Sequence, residues 1–510
     1  MESRTKNSIR NIVYGVFSKI VTIILPFVAR TIIIQILGTQ YLGLNSLFTS
    51  ILQVLNLAEL GFGNALVYSM YKPIAEKRNE KVCQLLNYYK KCYRIIGIIV
   101  LIFGLLIMPF LDKLISGEHP ENINIYYIYI IYLINTVLSY FLFAYKSSLL
   151  TANQRNDITS KISLMLVILQ NVLQILLLIV FENYYYYIVV IPFITILNNL
   201  IISKIVDKKY PQYKAKGKLE ENENKEIQKN VKGMIFQKIG SVVLSNVDNI
   251  VISAFLGLTI LGIYNNYYYI ITSLFGILSV VMNSLKASIG NSVVLETKEK
   301  NYKDFIKFNF LYVWIISWMS ICLLVLMQDF IQLWLGQEYL LEYYIVILFG
   351  IYFFVHKWCD MLYVYQEAKG LWWENRFVPI SAAIVNLIIN LILVKIIGLA
   401  GILISTIVSV LFIYDFGYAK ILFINYFNIK GEFKKYILKQ IKYLITTIIV
   451  GIVTYGICLI LNKSTLLYFI LKICIATIVP NVLFFIIYKN TNEFKELVIF
   501  IKNKIENKTL

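Results

Sequence analysis

The chain has 510 residues, of which 59% are hydrophobic and only 15% charged, with a mean hydropathy of +0.70. A water-soluble chain of this length needs more polar surface than that, so a soluble enzyme or binding module is excluded and a polytopic membrane protein is expected. The net charge of +19 would suggest a nucleic-acid partner in a soluble protein, but here it falls in alternate loops and reads as a topological signal.

Fourteen apolar runs are long enough to cross a bilayer, near 11–37, 44–70, 94–112, 126–146, 161–181, 185–204, 232–256, 262–285, 306–327, 341–364, 377–396, 399–421, 441–461 and 466–488. A run such as IIGIIVLIFGLLIMPFL (95–111) lacks the alternation of a barrel strand, so the fold class is all-α. The first run is too long for a signal-peptide core and lacks a small-residue cleavage site, so it is expected to remain as the first span. Basic residues cluster before the first span (Arg4, Lys6, Arg10) and in the second loop (Lys72, Lys77, Arg78, Lys81). They recur in the middle stretch KIVDKKYPQYKAKGKLEENENKEIQKNVK (204–232), the eighth and twelfth loops and the tail. The intervening loops hold one lysine among them. Basic loops face the cytoplasm, so both termini are expected there. Tyrosine clusters at 184–187 and 267–269 fit an interfacial aromatic belt, or rings that stack on sugar at an outer vestibule. The six cysteines form no CxxC pair and read as free thiols, not as a disulfide framework or zinc site.

The short stretch LGTQYLGLN (37–45) recurs as LGLTILGIY (256–264), and a shift of 219 residues aligns far more than this corner. Asn11 falls on Asn230, Phe17 on Phe236, Lys19 on Lys238, Asn64 on Asn283, Glu80-Lys81 on Glu299-Lys300 and Gly117 on Gly336. The register runs without a gap for about a hundred residues, which marks an internal duplication. The shift covers six helices, an even number, so the copies are parallel repeats of the kind that build transporter lobes. The expected organisation is a six-helix lobe (1–205), a lysine-rich linker (206–230), a second six-helix lobe (231–425), an added helical hairpin (440–488) and a cytoplasmic tail (489–510). No Walker A, HExxH or GxSxG pattern occurs, so no catalytic residue, metal or ATP hydrolysis is expected.

An ionisable side chain inside a span is costly unless it faces a cavity or a partner. Lys19 and Arg30 stand eleven residues apart on the first span, about three helical turns, so they share a face. The second span returns Glu59 to the depth of Lys19, which predicts a Lys19–Glu59 ion pair. In the second copy Lys238 replaces Lys19 but Leu278 replaces Glu59, so this lysine is the better candidate for an anionic ligand. Arg30 aligns with Asn249, and Ala29 with Asp248. Arg30 and Asp248 are therefore expected at similar depth on opposite lobes, placed to pair as a gate. Asp360, with His356 and Lys357, reads as an inner gate or a proton site, and equally as a solvated helix end. Lys395 and Lys472 read as packing or interfacial residues.

The stretches VARTIIIQILGTQYLGLNSLF (28–48), VDNIVISAFLGLTILGIYNNYY (247–268) and GLAGILISTIVSVLF (398–412), with the six-plus-six-plus-two layout, resemble one family. They are similar to the bacterial polysaccharide flippases, the Wzx-like members of the multidrug/oligosaccharidyl-lipid/polysaccharide exporter superfamily. The resemblance implies an inner-membrane transporter that moves a polyprenyl-pyrophosphate-linked oligosaccharide between leaflets for capsule, exopolysaccharide or O-antigen assembly. Arg30, Lys19 and Lys238 would then offset the charge of the pyrophosphate. The implied cofactors are none beyond an ion or proton gradient. The implied partners are the lipid-linked oligosaccharide, membrane lipids, and the polymerase and chain-length machinery, with no nucleic acid. A cation-coupled multidrug exporter of the same superfamily is the nearest alternative; it needs anionic cavity residues, which Asp248 and Glu59 offer. A lipid II flippase involves the same chemistry. A membrane glycosyltransferase or polymerase would be expected to show a large outer loop, and this chain has none.

Overall fold

The computed structural model describes residues 4–56, 62–117, 119–219, 221–429, 431–461 and 465–506. Every regular element among them is a helix. Contacts divide the chain into two compact units, Met1–Asn265 and Asn266–Leu510.

The first unit comprises α1 (Arg4–Ile36), α2 (Thr39–Leu55), α3 (Phe62–Ala75), α4 (Asn79–Ile107), α5 (Ile125–Phe141), the short α6 (Ser147–Ala152), α7 (Asn156–Phe181), α8 (Tyr184–Lys209) and the first part of α9 (Glu221–Leu295). Asparagine side chains start two of these helices. Asn124 accepts from the backbone N–H groups of Tyr126 and Tyr127 at 3.0 and 3.3 Å, and Asn183 accepts from Tyr185 at 2.9 Å, satisfying donors that the first turn leaves open. The interior is rich in tyrosine whose hydroxyls find partners: Tyr132 donates to Asn45 at 2.7 Å, and Tyr140 to Asn56 at 3.0 Å. Tyr184 and Tyr187 belong to this core, 1% and 8% exposed, so half of the 184–187 cluster is neither belt nor vestibule. Tyr267 in the second unit is likewise fully buried, holding Gln328 at 2.8 Å and accepting from the Leu341 N–H at 3.0 Å.

The second unit continues α9 and adds α10 (Lys298–Trp334), α11 (Tyr343–Trp358), α12 (Asp360–Lys369), α13 (Val378–Ser409), α14 (Phe416–Leu422), α15 (Glu432–Leu459), α16 (Leu466–Tyr488) and α17 (Asn492–Glu506). Two π-helical turns, Val410–Asp415 and Phe423–Phe427, flank α14. The hairpin α15–α16 is stitched to α10. Trp314 donates to Asn481 at 2.8 Å, Trp318 to the Ala476 carbonyl at 3.1 Å, and Thr447 to Ser317 at 2.8 Å.

Ten described helices are long and apolar enough to cross a membrane, or eleven counting the bent pair α5–α6, so the fourteen expected spans are not recovered one for one. Two long helical stretches each absorb two expected spans. In α9 the chain turns at Gly257 (φ 86°, ψ 173°) and in α13 at Ile397–Gly398 without ending the run of helix. The expected span 44–70 crosses residues 57–61, which lie outside the described set, leaving α2 and α3 with 17 and 14 residues.

Candidate functional site

The two copies of the repeated corner touch each other. Gly38 (φ 101°, ψ 170°) and Gly257 (φ 86°, ψ 173°) adopt nearly one conformation, in a region essentially restricted to glycine. Five residues on, backbone meets backbone. A Cβ added to Gly43 would lie 2.1 Å from the Leu258 carbonyl oxygen, and one added to Gly262 would lie 2.2 Å from that of Thr39. Thr39 and Leu258 are themselves equivalent under the 219-residue shift, so the contact is reciprocal. Around it, Asn249 donates to Ser50 at 2.9 Å, Ser253 to the Leu114 carbonyl at 2.7 Å, and the Ser116 N–H to the Ser253 carbonyl at 2.9 Å. The sequence marks these glycines as one corner written twice; the clasp between the copies is what the structure adds.

Lys19 and Lys238, equivalent positions of the two copies, are both half-buried, and neither makes an ion pair within the described residues. Glu59, the expected partner of Lys19, lies outside the described residues. Arg30 is on the same helix as Lys19, and its charge acts on the buried phenol of Tyr187. Asp248 is 5% exposed and belongs to the same compact unit as Arg30.

In the second unit the chain brings His356, Lys357 and Asp360 together where α11 gives way to α12. Asp360 accepts from the Tyr312 hydroxyl at 2.7 Å and pairs with Lys357 at 3.0 Å. The ammonium of Lys357 also lies 4.5 Å from the centre of the Phe275 ring. His356 packs against Tyr352 at 4.4 Å, and its buried Nε2 has no hydrogen-bond partner among the described residues. This is a packed polar cluster rather than a solvated helix end.

Two acids escaped the sequence reading. Asp415, 5% exposed, ends the first π-helical turn, and its Oδ2 has no hydrogen-bond partner among the described residues. π-turns concentrate at functional positions. Its signal was present, since FIYDFG places a carboxylate inside an expected span. Asp329 of α10 pairs with Lys472 of the added hairpin, their side chains 17% and 13% exposed, so Lys472 packs inward. Lys395 is exposed. No group of three or more His, Cys, Asp or Glu side chains among the described residues could hold a metal.

These features define a class: a multi-pass helical membrane protein with the fold of the MOP-superfamily transporters. The fold is similar to lipid II flippase MurJ in its inward closed conformation, with a TM-score of 0.68 at 15% identity over 94% of this chain and 99% of that one. An inward-facing MATE family multidrug resistance transporter gives 0.60 at 14% identity, covering 78% and 92%. A MOP superfamily transporter from Pyrococcus furiosus with a binding pocket of reverse polarity gives 0.50 at 13% identity, covering 81% and 95%. No curated protein matches the sequence. The profile of the polysaccharide biosynthesis protein family matches residues 8–285, more than half of the chain, and the chain belongs to that family.

Proposed function

We propose that this protein is a flippase for polyprenyl-pyrophosphate-linked oligosaccharide repeat units in the bacterial cytoplasmic membrane, serving capsule, exopolysaccharide or O-antigen assembly. The observation that carries the reading is the family match over 8–285, a stretch holding Lys19, Arg30, Lys238, Asp248 and both glycine corners. Half-buried lysines at the same position of both copies suit an anionic pyrophosphate better than a cationic drug. By the charge asymmetry of the loops, both termini are cytoplasmic and the glycine corners face outward. Outward opening then requires the Gly43–Leu258 and Gly262–Thr39 contacts to part, with Arg30 and Asp248 as the gate beside them.

Transport needs no covalent step, only different affinities in two conformations. An ion or proton gradient drives it, and we assign the proton-responsive group to Asp415 with Asp360 and His356. The charged and titratable groups acting on Asp415 are Lys357, Asp360, Cys359, Tyr414 and Tyr436. Downstream, the polymerase and chain-length machinery would receive the flipped unit.

The test is deletion of the gene, with surface polysaccharide and the pool of polyprenyl-linked oligosaccharide measured together. Loss of surface glycan with accumulation of the complete lipid-linked unit, restored by complementation, is the expected result. Accumulation of lipid II instead assigns the chain to peptidoglycan export. Unchanged glycan with raised sensitivity to cationic dyes assigns it to the drug exporters.

A further inference from the structure

A cavity of about 630 Å³ opens inside the first unit, within the range of roughly 300–1,000 Å³ that small-molecule sites occupy. Its wall exists because the fourth span is broken. Between α5 and α6 the chain bends by 44° through an extended Leu142 and a tight turn, Phe143–Lys146. Irregular backbone at membrane depth persists where it is buried or lines a cavity, and Ser147 after the break lines this one.

The lining has a definite chemistry. Ser139, Ser147 and Thr159 face the cavity, and each spends its hydroxyl proton on a carbonyl of its own helix turn, at 2.6, 2.7 and 2.9 Å. Thr195 spends its own on Asn135 at 2.6 Å. What these oxygens still offer is lone pairs. The buried Oδ1 of Asn198 is a further acceptor, with no partner among the described residues. Among the described residues no carboxylate, ammonium, guanidinium or imidazole lines the cavity. Lys146, next to Ser147, donates to Ser203 at 2.8 Å and is neutralised by Asp207 at 2.6 Å. Ser163 and the amides of Gln170 and Asn198 add donors to the lining, so the cavity pairs donors with acceptors, as neutral hydroxyls require, and gives phosphate no cation among the described residues. A lipid tail would strand these polar groups, and a cation would find no counter-charge. Leu166, Ile194 and the ring of Tyr93 supply apolar faces between the polar groups.

We propose that this cavity is a binding site for neutral sugar: it reads hydroxyl donors of the glycan, and the pyrophosphate is held elsewhere. The proposal rests on the flippase reading and names the part of that substrate the first unit recognises.

The experiment uses the full-length protein in lipid nanodiscs, titrated with undecaprenyl pyrophosphate, bare or carrying a neutral trisaccharide, and read by native mass spectrometry. The expected result is about tenfold tighter binding of the glycosylated lipid, the factor that roughly 1.4 kcal/mol represents. Ser163→Leu and Asn198→Leu, which fill the cavity, should each bring that ratio to near one and leave bare-lipid binding unchanged, which also shows that they fold. The milder Ser163→Ala should cost about threefold, as loss of one ordinary hydrogen bond does. Equal binding of both lipids by the wild type, or variants that keep the ratio, overturns the sugar site while leaving the flippase reading in place. Failure of both lipids to bind the wild type overturns that reading and the sugar site with it. Tight binding of ethidium, lost in the same variants, reassigns the cavity to cations.

Discussion

The fourth span of each copy is interrupted, α5–α6 by a 44° bend at Leu142 and α11–α12 by the single residue Cys359, yet the two interruptions are furnished in opposite ways. In the first copy Tyr93 lines a cavity whose described lining is hydroxyls, amides and apolar groups. Its equivalent, Tyr312, donates to Asp360 in a packed cluster with Lys357, near His356 and Asp415. The duplication kept backbone joints, because a glycine in a glycine-only conformation has no substitute. Side chains around the breaks were free to diverge. One copy holds hydroxyls and amides around its cavity, the other a cluster of Asp360, Lys357 and Tyr312.

That contrast can be broken or sharpened by experiment. The largest effect is expected at the clasp, which both copies share. Gly43→Val and Gly262→Val each drive a side chain into a carbonyl, at an overpacking cost of about 1–3 kcal/mol or more. Each should abolish export at matched membrane abundance, and tolerance at one site alone would break the reciprocity. Next, Arg30→Ala and Lys238→Ala should each lower export about tenfold, a loss of roughly 1.4 kcal/mol. Wild-type export from both removes the cationic residues from the transport path. Asp415→Asn should leave lipid binding intact and erase the acceleration that a pH gradient gives to flipping in proteoliposomes; an undiminished gradient response returns this acid to a structural role. Lys472→Met leaves Asp329 buried without its partner and should cost about 3 kcal/mol, read as a lower melting temperature in detergent. Adding Asp329→Asn should restore most of it. The smallest effect is expected for Asn249→Ala, which loses the bond to Ser50 and about 1 kcal/mol.

Much of this architecture was legible in the sequence, because apolar runs, alternate basic loops and a constant offset each have a direct physical cause. The corner glycines were legible as a repeated corner, but not as a contact, since nothing local says that Gly43 meets Leu258. The break at Leu142 carries no proline or glycine; packing sets it, so the cavity behind it was invisible. In hindsight the polar residues Thr159, Ser163 and Gln170 keep helical spacing along one face of an otherwise apolar helix, which was its trace. Asp415 was open to reading, an acid within an apolar run. The Asp329–Lys472 pair joins residues 143 positions apart, and only the folded chain pairs them. Tyr184, Tyr187 and Tyr267 depart from the interfacial reading because hydroxyl partners such as Gln328 for Tyr267 allow burial.

The reciprocal glycine contact has one more consequence. When position i of one copy meets position j of another, and j meets i, the arrangement is the isologous interface of a two-fold dimer. A half-length ancestor with a single corner would have assembled with a second chain through these same two contacts. Joining two such copies in one chain would replace an association governed by protein concentration with one held at a fixed effective concentration. It would also free the two halves from identity, so that one could specialise without unmaking the joint.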